Sequence, residues 1–230
     1  MKRFYKTVDV VERGGAFEVR LDGKPVRTPL KSVLALPTRA LAEAISEEWK
    51  SRGETFDPAA MPLTRLANAT ADRGQEHAAG IADNILKYGA SDLLCYRAED
   101  PELAAKQAGK WDPILDWLKD RYGVRLAITT GLTPIDQGAC SLTLLKETVM
   151  RADASTLSAL YAAVGLLGSL VLALALIDGR LTAAEAFSLS RLDEDHQAQR
   201  WGKDREATER AARAFAELEA AHEFLRLSRA

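Results

Sequence analysis

Apolar and polar positions change their period along this 230-residue chain, and each change predicts a different element. Near the start, Phe17, Val19 and Leu21 alternate with Glu18 and Arg20, the period of a strand with one buried face. Asp22-Gly23 follows as a hairpin turn whose two positions need positive φ, and Gly14-Gly15 offers another before it. Lys24 to Pro29 continues extended with prolines that suit an edge strand, and Val33 to Leu36 predicts one more strand. The period then becomes helical. Thr38 is placed to cap a helix in which Leu41, Ile45 and Trp49 recur on one face. Phe56 to Pro62, rich in proline, reads as a connector.

A third regime begins further on. From Leu157 to Ile177 the chain carries no charge and is apolar on every face. Its length is at the lower edge of a bilayer span, so a membrane helix is one reading. The other is a single buried central helix, capped by Asp153 and stopped at Asp178-Gly179, around which amphipathic helices pack. The second is favoured, because soluble helix signals flank the run. Thr182 and Glu185 have capping-box spacing, and a helix is predicted from there to Trp201, with Gly202 as its break. Asp204 recaps a last amphipathic helix. Asp100-Pro101 and Asp112-Pro113 each read as a cap followed by an N1 proline, starting two short helices. The predicted fold is α+β: residues 1–60 form a small antiparallel β-rich domain with one helix, and residues 61–230 form an all-α domain.

Charge narrows the function classes. A net charge of −2 leaves no basic excess for a phosphate backbone, so nucleic acid is not an expected partner. No apolar run follows the basic residues of MKRFYKTVDV, as a secretory signal would require. Cys95 and Cys140 form no paired motif and suit buried thiols in a reducing compartment, here the cytoplasm. No nucleophile elbow, phosphate loop or zinc-protease signature occurs, so no catalytic residue and no cofactor or metal is assigned.

The acidic run Asp193, Glu194, Asp195 with His196 is the one cluster with chemical promise. Consecutive helical residues point about 100° apart, so the run is better read as a solvated charge cluster than as a metal site. A small hydrolase or metal-dependent enzyme using Asp193, Glu194 and His196 is the alternative. On a single helix, Ala183, Phe187, Ser190, Glu194, Ala198 and Trp201 share a face, which would set Glu194 in an apolar stripe. Such a carboxylate needs a donor, for which Arg65 is a candidate, or else serves a surface that a partner reads. Trp49, Trp111, Trp117 and Trp201 recur with aliphatics at helical spacing and are read as core; an exposed one would be an interface anchor.

The segments LDGKPVRTP, ALPTRALAEAISEEW, MPLTRLANATADR, SDLLCYRAEDPELAAKQAGKWDPILDW, LLGSLVLALAL and LSRLDEDHQAQRWG together resemble the assembly chaperones of the ATP-synthase alpha subunit, across almost the whole chain. The resemblance implies a β-rich domain followed by helices. It also implies a protein that binds the unassembled alpha subunit until the beta subunit replaces it. Such a task needs no catalytic constellation, and a monomer with no cofactor and no membrane insertion is expected. The family's important acid lies in a pattern resembling L-E-E-x-x-Q-x-x-x-W-G. Here that pattern falls on Leu192, Asp193, Glu194, Gln197, Trp201 and Gly202. The resemblance thus implies roles for Glu194, Asp193 and Trp201, and makes Trp49 and Arg65 candidates for structure or client binding.

Overall fold

The computed structural model describes residues 2–73, 77–131, 133–202 and 204–230. Two compact units emerge, and they do not follow a single cut in the chain. The first comprises Met1–Ala78, Ala154–Ala159 and Ala220–Ala230; the second comprises Ala79–Asp153 and Leu160–Glu219.

In the first unit, β1 (Val8–Arg13) and β2 (Ala16–Leu21) pair antiparallel, with Val8 opposite Leu21 and Arg13 opposite Ala16. Gly14 and Gly15 turn the hairpin at φ 61° and 79°, a conformation that costs glycine little. The other edge of β2 carries both β3 (Lys24–Pro25) and β4 (Ala35–Leu36). Val19 and Leu21 are buried as the alternation predicts. Against them lies α1 (Arg39–Lys50), which buries Leu41, Ile45 and Trp49. Burying such side chains contributes roughly 1.5–3 kcal/mol each.

Thr38 caps α1 through Leu41 N–H at 3.1 Å, and its hydroxyl donates to the Leu227 carbonyl at 2.6 Å. The last residues of the chain are therefore part of this core, with Phe224 and Leu227 buried in it. Glu48 reaches forward to cap α2 (Pro62–Arg73), accepting from the Leu63 and Thr64 amides, each at 2.8 Å.

The second unit is helical: α3 (Ala78–Ala90), α4 (Pro101–Tyr122), α5 (Ala139–Met150), α6 (Ala154–Leu167), α7 (Leu170–Ile177), α8 (Ala183–Ser190), α9 (Leu192–Trp201) and α10 (Arg205–Ser228). Of these, α6 begins and α10 ends in the first unit. A two-residue parallel pair, β5 (Tyr96–Arg97) with β6 (Thr129–Thr130), is its one departure from helix pairing among the described residues. Antiparallel strands followed mostly by helices is the architecture that the sequence predicts.

Two helix boundaries differ from expectation. The apolar run 157–177 is two helices rather than one central helix. Gly168 breaks it at φ 66°, and Ser169 restarts it by capping Leu172 N–H at 3.0 Å. The cause is Asp92, fully buried, which accepts from Ser169 Oγ at 2.7 Å, Val171 N–H at 3.0 Å and Leu94 N–H at 3.0 Å. A carboxylate at the start of α7 satisfies amides that a continuous helix would have turned elsewhere. Burial pushes the Asp92 carboxyl up to about 6, while those donors oppose the rise. The seven residues Leu170 to Leu176 are all buried, and Gly89 of α3 admits Leu145 and Leu170 so closely that an added Cβ would meet both at 3.0 Å. At 1.5 Å per residue α7 is far shorter than a bilayer. Among the described residues no helix is long and apolar enough to cross a membrane.

The second difference is Pro113, which lies inside α4 instead of starting a new helix. Trp111, Ile114 and Leu118 form one buried stripe through it, so packing outweighs the roughly 3 kcal/mol that an interior proline costs.

Candidate functional site

The acidic run lies on α9, and its placement starts from the end of α8. Thr182 and Glu185 form the capping box that their spacing predicts, with the Thr182 amide donating to Glu185 at 2.8 Å. At Arg191, φ −114° and ψ 16°, the helix stops and α9 restarts with Asp193, Glu194 and Asp195 in its first turn. Carboxylates there face the positive end of the helix dipole.

One side of α9 is fastened to α4 at three levels. Gln107 is fully buried; its amide nitrogen donates to Asp193 Oδ1 at 2.7 Å, and its amide oxygen accepts from Ala98 N–H at 2.8 Å. His196 is buried one turn later, with Nδ1 at 3.3 Å from Lys106 Nζ. An ammonium only donates, so Nδ1 is the acceptor in this contact. At the far end, Arg200 donates to Asp100 at 2.7 Å. The Leu103 amide and then Arg200 hold the Asp100 carboxyl below its ordinary range. Just ahead of α9, the Trp111 indole donates to the Leu189 carbonyl at 2.9 Å.

The other side of α9 faces outward. Glu194 is 57% exposed, and the arginine facing it is Arg191, one turn earlier at 3.8 Å. The single helix with an apolar stripe through Glu194 is not what forms: the break at Arg191 resets the helical phase, so Asp193 turns inward and Glu194 outward. Trp201, read as core from its spacing, is 82% exposed. Gly202, at φ 93°, ends α9, and Asp204 caps α10 by accepting from Ala207 N–H at 2.9 Å. Between the two helices runs an open groove of about 510 Å³. Ala198, Ala207 and Ala211 line it together with Trp201, four carboxylates (Asp193, Glu194, Asp195 and Asp204) and Arg191.

Asp193, Glu194 and Trp201 are thus brought to one groove. Trp49 and Arg65 belong to the first unit. Trp49 is buried there, edge-on to Tyr5 and Phe56, with its backbone carbonyl accepting from Tyr5 Oη at 2.6 Å; Arg65 is exposed on α2. The enzyme alternative needed Asp193, Glu194 and His196 to converge. They turn instead to Gln107, to solvent and to Lys106, and no metal-holding group of three occurs among the described residues. Ala207 and Ala211 line the groove with no signal in the sequence beyond their place on the last amphipathic helix.

The profile of the ATP12 chaperone protein family matches residues 2–119, just over half of the chain. The chain belongs to the ATP12 chaperone family. The crystal structure of Atp12 from Paracoccus denitrificans is similar over 99% of this chain and 98% of that one, with 43% identity and a TM-score of 0.93. A point variant of the same Paracoccus protein gives 42% identity over 99% and 97%, at the same TM-score. Protein atp12, mitochondrial, of Schizosaccharomyces pombe is 24% identical over 225 residues, 90% of this chain and 76% of that protein. The ATP12 fold is therefore that of the whole chain, and ATP12 proteins are chaperones of ATP synthase assembly. This is the family that the sequence segments resemble.

Proposed function

We infer that this ATP12 chaperone binds the unassembled alpha subunit of the ATP synthase catalytic sector and prevents its aggregation until the beta subunit takes its place. The observation that carries this reading is Trp201, a large aromatic left exposed beside the α9–α10 groove, within the segment that resembles the family's acid-and-tryptophan pattern. An isolated alpha subunit exposes apolar surface that its assembled form buries, and such surface aggregates. A chaperone of this kind covers the patch reversibly and yields by mass action to the larger native interface, which takes no catalytic group, nucleotide or metal. Glu194, Asp195 and Trp201 are its client-facing residues, and Asp193 holds them in place. Trp49 and Arg65 serve the first unit, Trp49 through its core. The protein acts as a monomer in the cytoplasm.

The test is co-expression with the alpha subunit. The expected result is soluble alpha subunit that co-purifies with this chain; equal aggregation with and without it would overturn the reading.

A further inference from the structure

The groove between α9 and α10 has a chemistry of its own. Its apolar lining consists of small side chains, Ala198, Ala207 and Ala211, which leave the space of about 510 Å³ open. Four carboxylates stand around it against one guanidinium among the described lining residues. Two of the four have structural duties: Asp193 accepts from Gln107, and Asp204 caps α10. Glu194 has only Arg191 at 3.8 Å, and Asp195 has no side-chain partner among the described residues. Trp201 stands beside them, 82% exposed.

We propose that this groove receives a basic amphipathic segment of the client, seating a large apolar side chain against the alanines and Lys or Arg side chains against Glu194, Asp195 and the indole of Trp201. Small residues around an unfilled groove admit a bulky partner side chain. The carboxylates repel acidic segments and attract basic ones, which sets selectivity and on-rate more than affinity. The exposed indole adds a cation–π surface and an aromatic anchor of the kind that dominates interfaces. The α4 fastening through Gln107, Lys106 and Asp100 holds α9 rigid, so the carboxylates are arranged before the partner arrives. This inference rests on the chaperone reading and adds the chemical class of what the groove holds.

Fluorescence anisotropy with two labelled helical peptides tests it, one built of Leu and Lys and one of Leu and Glu. The Leu–Lys peptide is expected to bind, and the Leu–Glu peptide not. Trp201→Ala should weaken binding at least about 10-fold. The double variant Glu194→Gln/Asp195→Asn should weaken it roughly 3- to 10-fold, and added salt should do the same. Unchanged melting curves show that the variants fold. Equal binding of both peptides, or unchanged binding by Trp201→Ala, overturns the proposal. Sedimentation showing a dimer that Trp201→Ala abolishes also overturns it, because a second copy would then fill the groove. The alpha subunit separates the two readings. If wild type and Trp201→Ala protect it equally, the groove assignment falls and the chaperone function stands. If wild type gives no protection, the chaperone function falls and this proposal with it.

Discussion

The buried amide of Gln107 donates to Asp193 across 2.7 Å, and this bond separates the roles of two adjacent acids. With Asp193 committed to α4, Glu194 is carried to the outer face of α9. Removing the inner acid leaves a buried donor unpaired, whereas removing the outer one breaks only a long, exposed ion pair. Asp193→Ala should therefore lose about 1–3 kcal/mol. Glu194→Ala should stay within about 0.5 kcal/mol of wild type. Urea denaturation of both variants checks this, and equal losses would contradict the division of roles.

The Asp92 site gives a pH dependence with a definite sign. Its folded-state pKa, about 6, lies above its ordinary value, so the folded protein binds the proton more tightly than the unfolded chain. The stabilisation from that proton is fully present below the unfolded value and is lost as pH rises through about 6. Asp92→Asn cannot titrate and should be less stable at every pH, because its amide nitrogen would replace an acceptor of the Ser169 hydroxyl or the Val171 amide. The stability difference between wild type and Asp92→Asn should widen on going from pH of about 7 to about 4.5, by on the order of 2 kcal/mol. Thermal melts of the pair across that window read it, and a constant difference would contradict the burial argument.

Gly168 provides a test of the helix break. Its φ is 66°, and an added Cβ would meet no atom within 4 Å, so only backbone strain opposes a side chain. Gly168→Ala should cost about 1–2 kcal/mol with no cavity or clash contribution. The shift of the urea midpoint measures it. A neutral or stabilising result would mean that α6 and α7 tolerate a different junction.

Local chemistry was legible in the sequence wherever cause and effect lie close in the chain. The Asp22-Gly23 turn, the Thr38 cap and the Thr182/Glu185 capping box each need only neighbours within a few residues. The β-then-helix order followed from the change of period. The break at Gly168 was not legible, because Asp92, the residue that makes it favourable, lies 77 positions before Ser169. Pro113 misled for a related reason: the stripe of Trp111, Ile114 and Leu118 stabilises α4 through contacts that a local cap rule does not include.

The site was half legible. The sequence marks the run at 193–196 and Trp201, yet the predicted orientation of Glu194 assumes that 183–201 is one helix. The interruption at Arg191 shifts the phase, and with it which acid meets Gln107. Trp201 looked like core on the same uninterrupted helix and is instead the most exposed of the large apolar side chains among the described residues.

Trp201→Ala should accordingly leave stability within about 0.5 kcal/mol of wild type, since the side chain touches little that the fold needs. Circular dichroism melts check this. A large drop in melting temperature would return Trp201 to a structural role.

The proposed protection of the ATP synthase alpha subunit from aggregation can be read by diluting denatured alpha subunit into buffer with and without the purified protein. Light scattering should fall as wild-type chain is added in stoichiometric amounts, and should stay high with a folded Trp201→Ala variant. Scattering that is the same with wild-type chain as with none would refute that role.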